Sequence, residues 1–100
     1  MSNKREKLSA DEIAKKLSAL SGWTYAASKL HREYKFADFV HAFGFMSSAA
    51  LCAEGLNHHP EWSNVYNKVV VDLDTHDAGG VTEMDFKLAA KMEELAGKFE

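Results

Sequence analysis

Three of the five histidines in this 100-residue chain fall where a side chain can do chemistry. His58 and His59 are adjacent, directly after a long apolar stretch and directly before Pro60, the only proline. His76 lies further on, in Asp74-Thr75-His76-Asp77-Ala78-Gly79-Gly80. Unperturbed imidazole titrates near ~6.5, so each ring can give or take a proton around neutrality. Proline fixes its own φ and pushes the preceding residue away from the helical region, so a helix must end near His58. The pair then stands at a helix terminus, where a loop can hold side chains out of the core. A single histidine there can serve the terminal carbonyls, but two in a row point in different directions and only one can do so.

Two carboxylates stand at useful spacings. Glu54 is four residues before His58, within one helical turn, and can orient an imidazole; its plainer role is a solvated glutamate at a helix end. Asp85 follows Thr82 by three residues, which completes a capping box and also makes a fixed platform near His76. A zinc site is the competing chemistry, since three histidines and a water form a known catalytic set. Adjacent His-His is poor geometry for a shared ion, so no metal is expected. Nucleophilic catalysis is weaker still: no serine has a nucleophile-elbow context, and Cys52 has no evident activator. His31 and His41 lack such company and read as ordinary surface or interface residues. Trp62 and Tyr66 read as hairpin packing, not as a base-stacking platform.

The elements must hold these groups in place. Ser9-Ala10-Asp11-Glu12 has capping-box spacing, with Leu8 and Ile13 as a hydrophobic staple, and predicts a first helix that Gly22 stops. Ile13, Leu17 and Leu20 share its apolar face. Trp23 to Ala27 and Leu30 to Phe36 read as strands with a turn at Ser28-Lys29. In the second, Leu30, Tyr34 and Phe36 face one way and His31, Glu33 and Lys35 the other, as in an antiparallel sheet with one wet face. Asp38 caps a second helix running to about Leu56. Phe39, Phe43, Met46 and Ala50 form one apolar stripe on it; Ala42, Phe45, Ala49, Cys52 and Leu56 form another. That arc is wider than one sheet face needs, and small residues from Gly44 to Ala50 invite a helix–helix interface between subunits. His41, Ser47, Ser48 and Glu54 interrupt it too often for a membrane span. Trp62 to Tyr66 and Val69 to Leu73 are two more strands around Asn67-Lys68. Thr82-Glu83-Met84-Asp85 opens a last helix with Leu88, Met92, Leu95 and Phe99 on one face. The order α-β-β-α-β-β-α predicts an α+β sandwich, a four-stranded antiparallel sheet with three helices packed on one face.

Bulk properties bound the rest. Length allows one domain, residues 8–100, after a flexible tail at 1–7. With 46% apolar and 27% charged residues, composition is that of a globular chain, and a formal charge of −3 without a basic stripe argues against direct nucleic-acid binding. The charged N-terminus lacks the apolar run of a signal peptide, and lone Cys52 excludes an internal disulfide. A cytoplasmic protein, small enough to reach the nucleus, is expected.

Glu54-x₃-His58-His59-Pro60, Trp62-x-Asn64-Val65-Tyr66-Asn67-Lys68-Val69, Thr75-His76 and Asp85 together resemble the pterin-4a-carbinolamine dehydratase family, also known as the dimerisation cofactor of a homeodomain transcription factor. His31-Arg32-Glu33-Tyr34-Lys35-Phe36 and Ala42-Phe43-Gly44-Phe45-Met46 resemble it too, so the likeness covers about residues 8–97. The resemblance implies loss of water from 4a-hydroxytetrahydropterin to give quinonoid dihydropterin in tetrahydrobiopterin recycling, without metal or cofactor. It implies His58, His59 and His76 as catalytic residues: His58 and His76 as acid candidates, and His59 holding the pterin and assisting proton removal. Backbone groups of Thr75, His76, Asp77 and Ala78 would meet the pterin's amide edge, with Pro60 beside them and Glu54 and Asp85 orienting imidazoles. It further implies homodimers or homotetramers through the central helix and the sheet edge, and a homeodomain transcription factor as a partner. A non-enzymatic dimerisation cofactor or coactivator working through that helix is the alternative function. A different proton-transfer enzyme on a flat heteroaromatic substrate is a third.

Overall fold

A computed structural model describes residues 6–100, and residues 1–5 of the expected tail lie outside the described residues. The elements run α1 (Ala10–Leu17), β1 (Thr24–Ala26), β2 (Lys29–Lys35), α2 (Phe39–Leu56), β3 (Glu61–Val65), β4 (Lys68–Leu73), a 3₁₀ turn (His76–Ala78) and α3 (Glu83–Ala96). The sheet is antiparallel throughout, in the order β1-β2-β4-β3, so β2 and β4 are central and β3 is an edge.

Period-two alternation decides which face is wet. Leu30, Tyr34, Phe36, Val69, Val71 and Leu73 are buried against the helices, while His31, Glu33, Lys35 and Asp72 lie on the open face. The helices complete the core with Ile13 of α1, Ala42, Phe45, Ala49 and Ala53 of α2, and Phe86, Leu88, Ala89, Met92 and Ala96 of α3. This is the α+β sandwich expected, with its helices on one face.

Both predicted capping boxes form. Ser9 and Glu12 exchange side chain–backbone bonds at the start of α1, and Thr82 and Asp85 do so at the start of α3. Boundaries moved where left-handed residues gave no warning. The chain leaves α1 at Leu17, five residues before Gly22, through a turn that closes at Gly22 with φ +89°. The first hairpin turns at Ala27 and Ser28, both at positive φ, and the second at Tyr66 with φ 51°, each one residue earlier than expected. Ala27, Ser28 and Tyr66, unlike Gly22, are not the glycine or asparagine that would announce such a conformation.

The two apolar stripes of α2 separate in part, since Met46 of the Phe39 stripe is half-buried against the core and the exposed Val40 and Leu51 lie in neither. Ala42, Phe45 and Ala49 are inside, whereas Phe39, Val40, Phe43 and Leu51 are exposed. Part of the close approach expected between subunits is made within the chain. The Phe99 ring, following α3, sits over Gly44 so closely that a Cβ there would lie 2.6 Å from it. By length and composition α2 could cross a bilayer, but its inner stripe is packed on the sheet and α3.

Candidate active site

Asn57 makes the corner on which the site depends. It ends α2 in the left-handed region at φ 51°, and its N–H donates to the Glu54 carbonyl while the His58 N–H donates to that of Ala53. These two bonds are a Schellman closure, with asparagine tolerating the conformation that glycine would otherwise supply. The reversal sends the next two side chains to opposite environments. His58 turns inward and is only 6% exposed, contrary to the expectation that both rings stand clear of the core; His59 stays out in solvent.

The buried ring meets a built network. His58 Nε2 lies 2.5 Å from Asp85 Oδ1, and Asp85 has no solvent exposure. The other carboxylate oxygen accepts from the Thr75 hydroxyl and the Thr82 N–H, both at 2.8 Å. The Thr82 hydroxyl then donates to Thr75 Oγ1 and accepts from the Met84 N–H. Every buried side-chain polar atom among the described residues has a partner. A buried carboxylate is tolerable only when so completely satisfied. Capping was therefore only part of Asp85's work: it also fixes the His58 ring. With Nε2 committed to Asp85, Nδ1 is the nitrogen that can exchange a proton with a ligand.

Glu54 does not orient His58, as its spacing suggested. Its Oε1 lies 2.8 Å from His59 Nε2. The one-turn relation holds only while the helix continues; once Asn57 reverses the chain, the fifth residue on folds back over Glu54 instead. His76 begins the 3₁₀ turn, held by a short clamp in which the Thr75 N–H donates to the Gly80 carbonyl at 2.8 Å. Gly79, at φ +75°, ends the turn and lets it close.

The three rings come to one place. His58, His59, Thr75, His76 and Asp77 line a shallow cavity of about 300 Å³ together with Asn57 and Asp74, at the lower end of the usual size for a small-ligand cleft. Glu54 and Asp85 stand behind two of the rings, outside the lining. Pro60 and Ala78 do not line it either: Pro60 is half-buried at the entry to β3, and Ala78 half-buried at the end of the 3₁₀ turn. Sequence reasoning missed Asn57 and Asp74 as lining residues. Asparagine just past a helix end was the signal for the first; for Asp74 none existed, because its place depends on how β4 meets the loop.

The other histidines are not without company, as their surroundings in sequence suggested. His31 bridges Asp72 at 2.9 Å and Glu33 at 3.1 Å on the open face, and Asp72 then Glu33 raise its pKa above the ordinary value. His41 lies 2.6 Å from its own helix cap, Asp38, whose pKa is lowered chiefly by the His41 N–H it accepts.

This arrangement has relatives. The family model described as pterin 4 alpha carbinolamine dehydratase matches residues 6–95. A protein of Solibacter usitatus, provisionally named a pterin-4-alpha-carbinolamine dehydratase, is 64% identical over 90 residues, spanning 90% of this chain and 95% of its own. One of Rhizobium johnstonii with the same provisional name is 56% identical over 97 residues, spanning 95% and 96%. A crystal structure of a transcriptional coactivator/pterin dehydratase from Brucella melitensis covers 92% of this chain and 100% of its own, with TM-score 0.90 at 50% identity. A pterin dehydratase-like protein that is a RuBisCO assembly factor in the alpha-carboxysome shares the fold at TM-score 0.63 and 22% identity, over 75% and 87% of the two chains.

Proposed function

We propose that this chain, which belongs to the pterin 4 alpha carbinolamine dehydratase family, removes water from a 4a-hydroxytetrahydropterin to give a quinonoid dihydropterin. The reaction breaks the C4a–O bond and the N5–H bond. An acid must protonate the departing hydroxyl and a base must take the N5 proton, so water leaves and a C=N bond forms. The observation that carries the reading is the buried Asp85–His58 pair at a cavity that His59 and His76 also line. In this reading His58 and His76 are the acid candidates, and His59, steadied by Glu54, holds the ring and assists at N5. Backbone groups of Thr75 to Ala78 meet the amide edge of the pterin. The roles need no group beyond these side chains and backbone atoms.

Stopped-flow dehydration of freshly generated 4a-hydroxytetrahydropterin tests it. The wild-type protein should accelerate the step, and single His58→Ala, His59→Ala and His76→Ala variants should each lose about 10²-fold or more, the usual worth of a positioned acid or base. Full rates in all three would sink the assignment.

A second reading is supported by a different observation. Phe39, Val40, Phe43 and Leu51 leave an apolar stripe of α2 uncovered. We infer homo-oligomers built on that stripe and on the edge of the sheet. A coactivator role, with a transcription factor as partner, would use the same stripe. Co-purification from native extract, compared between wild type and a Leu51→Glu variant, is its test.

A further inference from the structure

His76 poses a problem that the other two rings do not. His58 is gripped by a buried carboxylate and His59 lies 2.8 Å from Glu54, but the His76 side chain is 75% exposed. No packing restrains it, and an unrestrained ring at a cavity mouth spends little time in any one productive pose. Two carboxylates flank it. Asp74 Oδ1 lies 3.1 Å from Nδ1, and Glu61 Oε1 lies 3.6 Å from Nε2. Both come from rigid ground, since Asp74 directly follows β4 and Glu61 is the first residue of β3. Glu61 is itself held: Lys29, the first residue of β2, reaches across the end of β4 to place Nζ 2.7 Å from Glu61 Oε2.

We infer that Asp74 and Glu61 are positioning residues for His76, with Lys29 fixing Glu61, so that the ends of three strands aim the most exposed imidazole of the cavity. The inference rests on the dehydratase reading of that cavity. Asp74, nearer to its nitrogen, favours the proton on Nδ1 when the ring is neutral; when the ring is charged, as an acid's is before it acts, Nε2 carries the proton to be given and Glu61 faces that nitrogen. The Lys29 ammonium is raised above the ordinary lysine range, first by Glu61 and then by Asp74 and Asp72, in keeping with its place among all three carboxylates. Glu61, Asp74 and His76 also bring one ligand atom each within 4.8 Å of one another, the spacing of a cation site. The protein's own ammonium already occupies the Glu61 end of that trio, which favours orientation of a ring over capture of an ion.

A double-mutant cycle decides it. Asp74→Ala and Glu61→Gln should each lower kcat/KM about tenfold through kcat, as expected when a reacting group is misplaced. Asp74→Asn, which keeps an acceptor near Nδ1, should recover most of the loss. In a His76→Ala background the same substitutions should change kcat/KM less than about twofold, because they act only through the ring. Ring ¹⁵N shifts of His76 should report mainly the Nδ1–H tautomer in the wild type and lose that bias in Asp74→Ala. Equal losses with and without His76, or an unchanged tautomer, would overturn the inference. So would activity abolished by a chelator and restored by zinc alone. The NMR measurement needs no turnover, so a wild-type protein with the tautomer bias but no dehydratase activity would refute the function and leave the positioning intact.

Discussion

Asp85 is a residue whose two oxygens have different duties. One holds His58 and the other gathers the donors that start α3. An Asp85→Asn substitution keeps the shape but must put an NH₂ group on one side. Toward Thr75 and Thr82 it faces two donors; toward His58 it forces the ring into the tautomer whose Nε2 accepts. Either way a hydrogen bond to a charged group is lost, and the isostere should cost about 1.5–3 kcal/mol, measured by urea unfolding. Thr75→Val keeps the shape but removes one donor to that carboxylate and the acceptor of the buried Thr82 hydroxyl, and should cost about 1–3 kcal/mol. Should Asp85→Asn prove neutral, the network would not be the restraint described. The importance of Asp85 was legible in sequence, because a capping box has a fixed spacing. Its partnership with His58 was not, since the two are 27 residues apart and meet only after α2 has been reversed at Asn57. The swap of Glu54 from His58 to His59 has the same cause. Spacing rules assume that a helix continues, and one left-handed residue ends their reach.

At the scale of elements, the open face of the sheet carries a pH-dependent tie between β2 and β4. His31 pairs across the strands with Asp72 and along its own strand with Glu33, which Lys68 also contacts at 3.3 Å. Asp72 and Glu33 raise the His31 pKa, while His31 and then Lys68 lower that of Glu33. A base whose folded pKa exceeds its unfolded one stabilises fully below the unfolded value, near ~6.5, and loses that contribution as pH rises through the folded value. Stability should thus decline as pH climbs from about 6 into the alkaline range, and His31→Gln should flatten that part of the curve. Thermal melts of both proteins across that range check it; parallel curves would show that the tie is idle. Strand alternation made this face readable in advance, as it put His31 and Glu33 together on the wet side. Asp72 as the cross-strand partner required the register of β2 on β4, which no local pattern specifies.

For the whole molecule, the balance of burial on α2 is the unsettled account. Its inner stripe closes the core, and Phe99 covers Gly44, yet Val40 and Leu51 remain about three-quarters exposed. If this stripe joins subunits, light scattering should give a multiple of the 11.1 kDa chain mass. Leu51→Glu should shift the protein toward monomer, because an unpaired carboxylate at an apolar interface is costly to bury. A monomeric wild type would remove the interface. The sandwich itself was readable from periodicity and caps, as two hairpins with helices before, between and after leave few ways to bury one sheet face. The surplus width of α2's apolar arc was equally plain, but part of it proved to belong to Phe99, a residue beyond α3 whose reach back to Gly44 only the folded chain reveals.

In the dehydratase reading, the shared duty of Asp85 ties the onset of a helix to the readiness of an acid. Loosening the first turn of α3, whether by heat, denaturant or a distant substitution, releases the His58 ring at the same moment. Inactivation should then run ahead of global melting, in step with amide exchange at Met84 and Asp85, so the proposed activity would be lost before the chain comes apart.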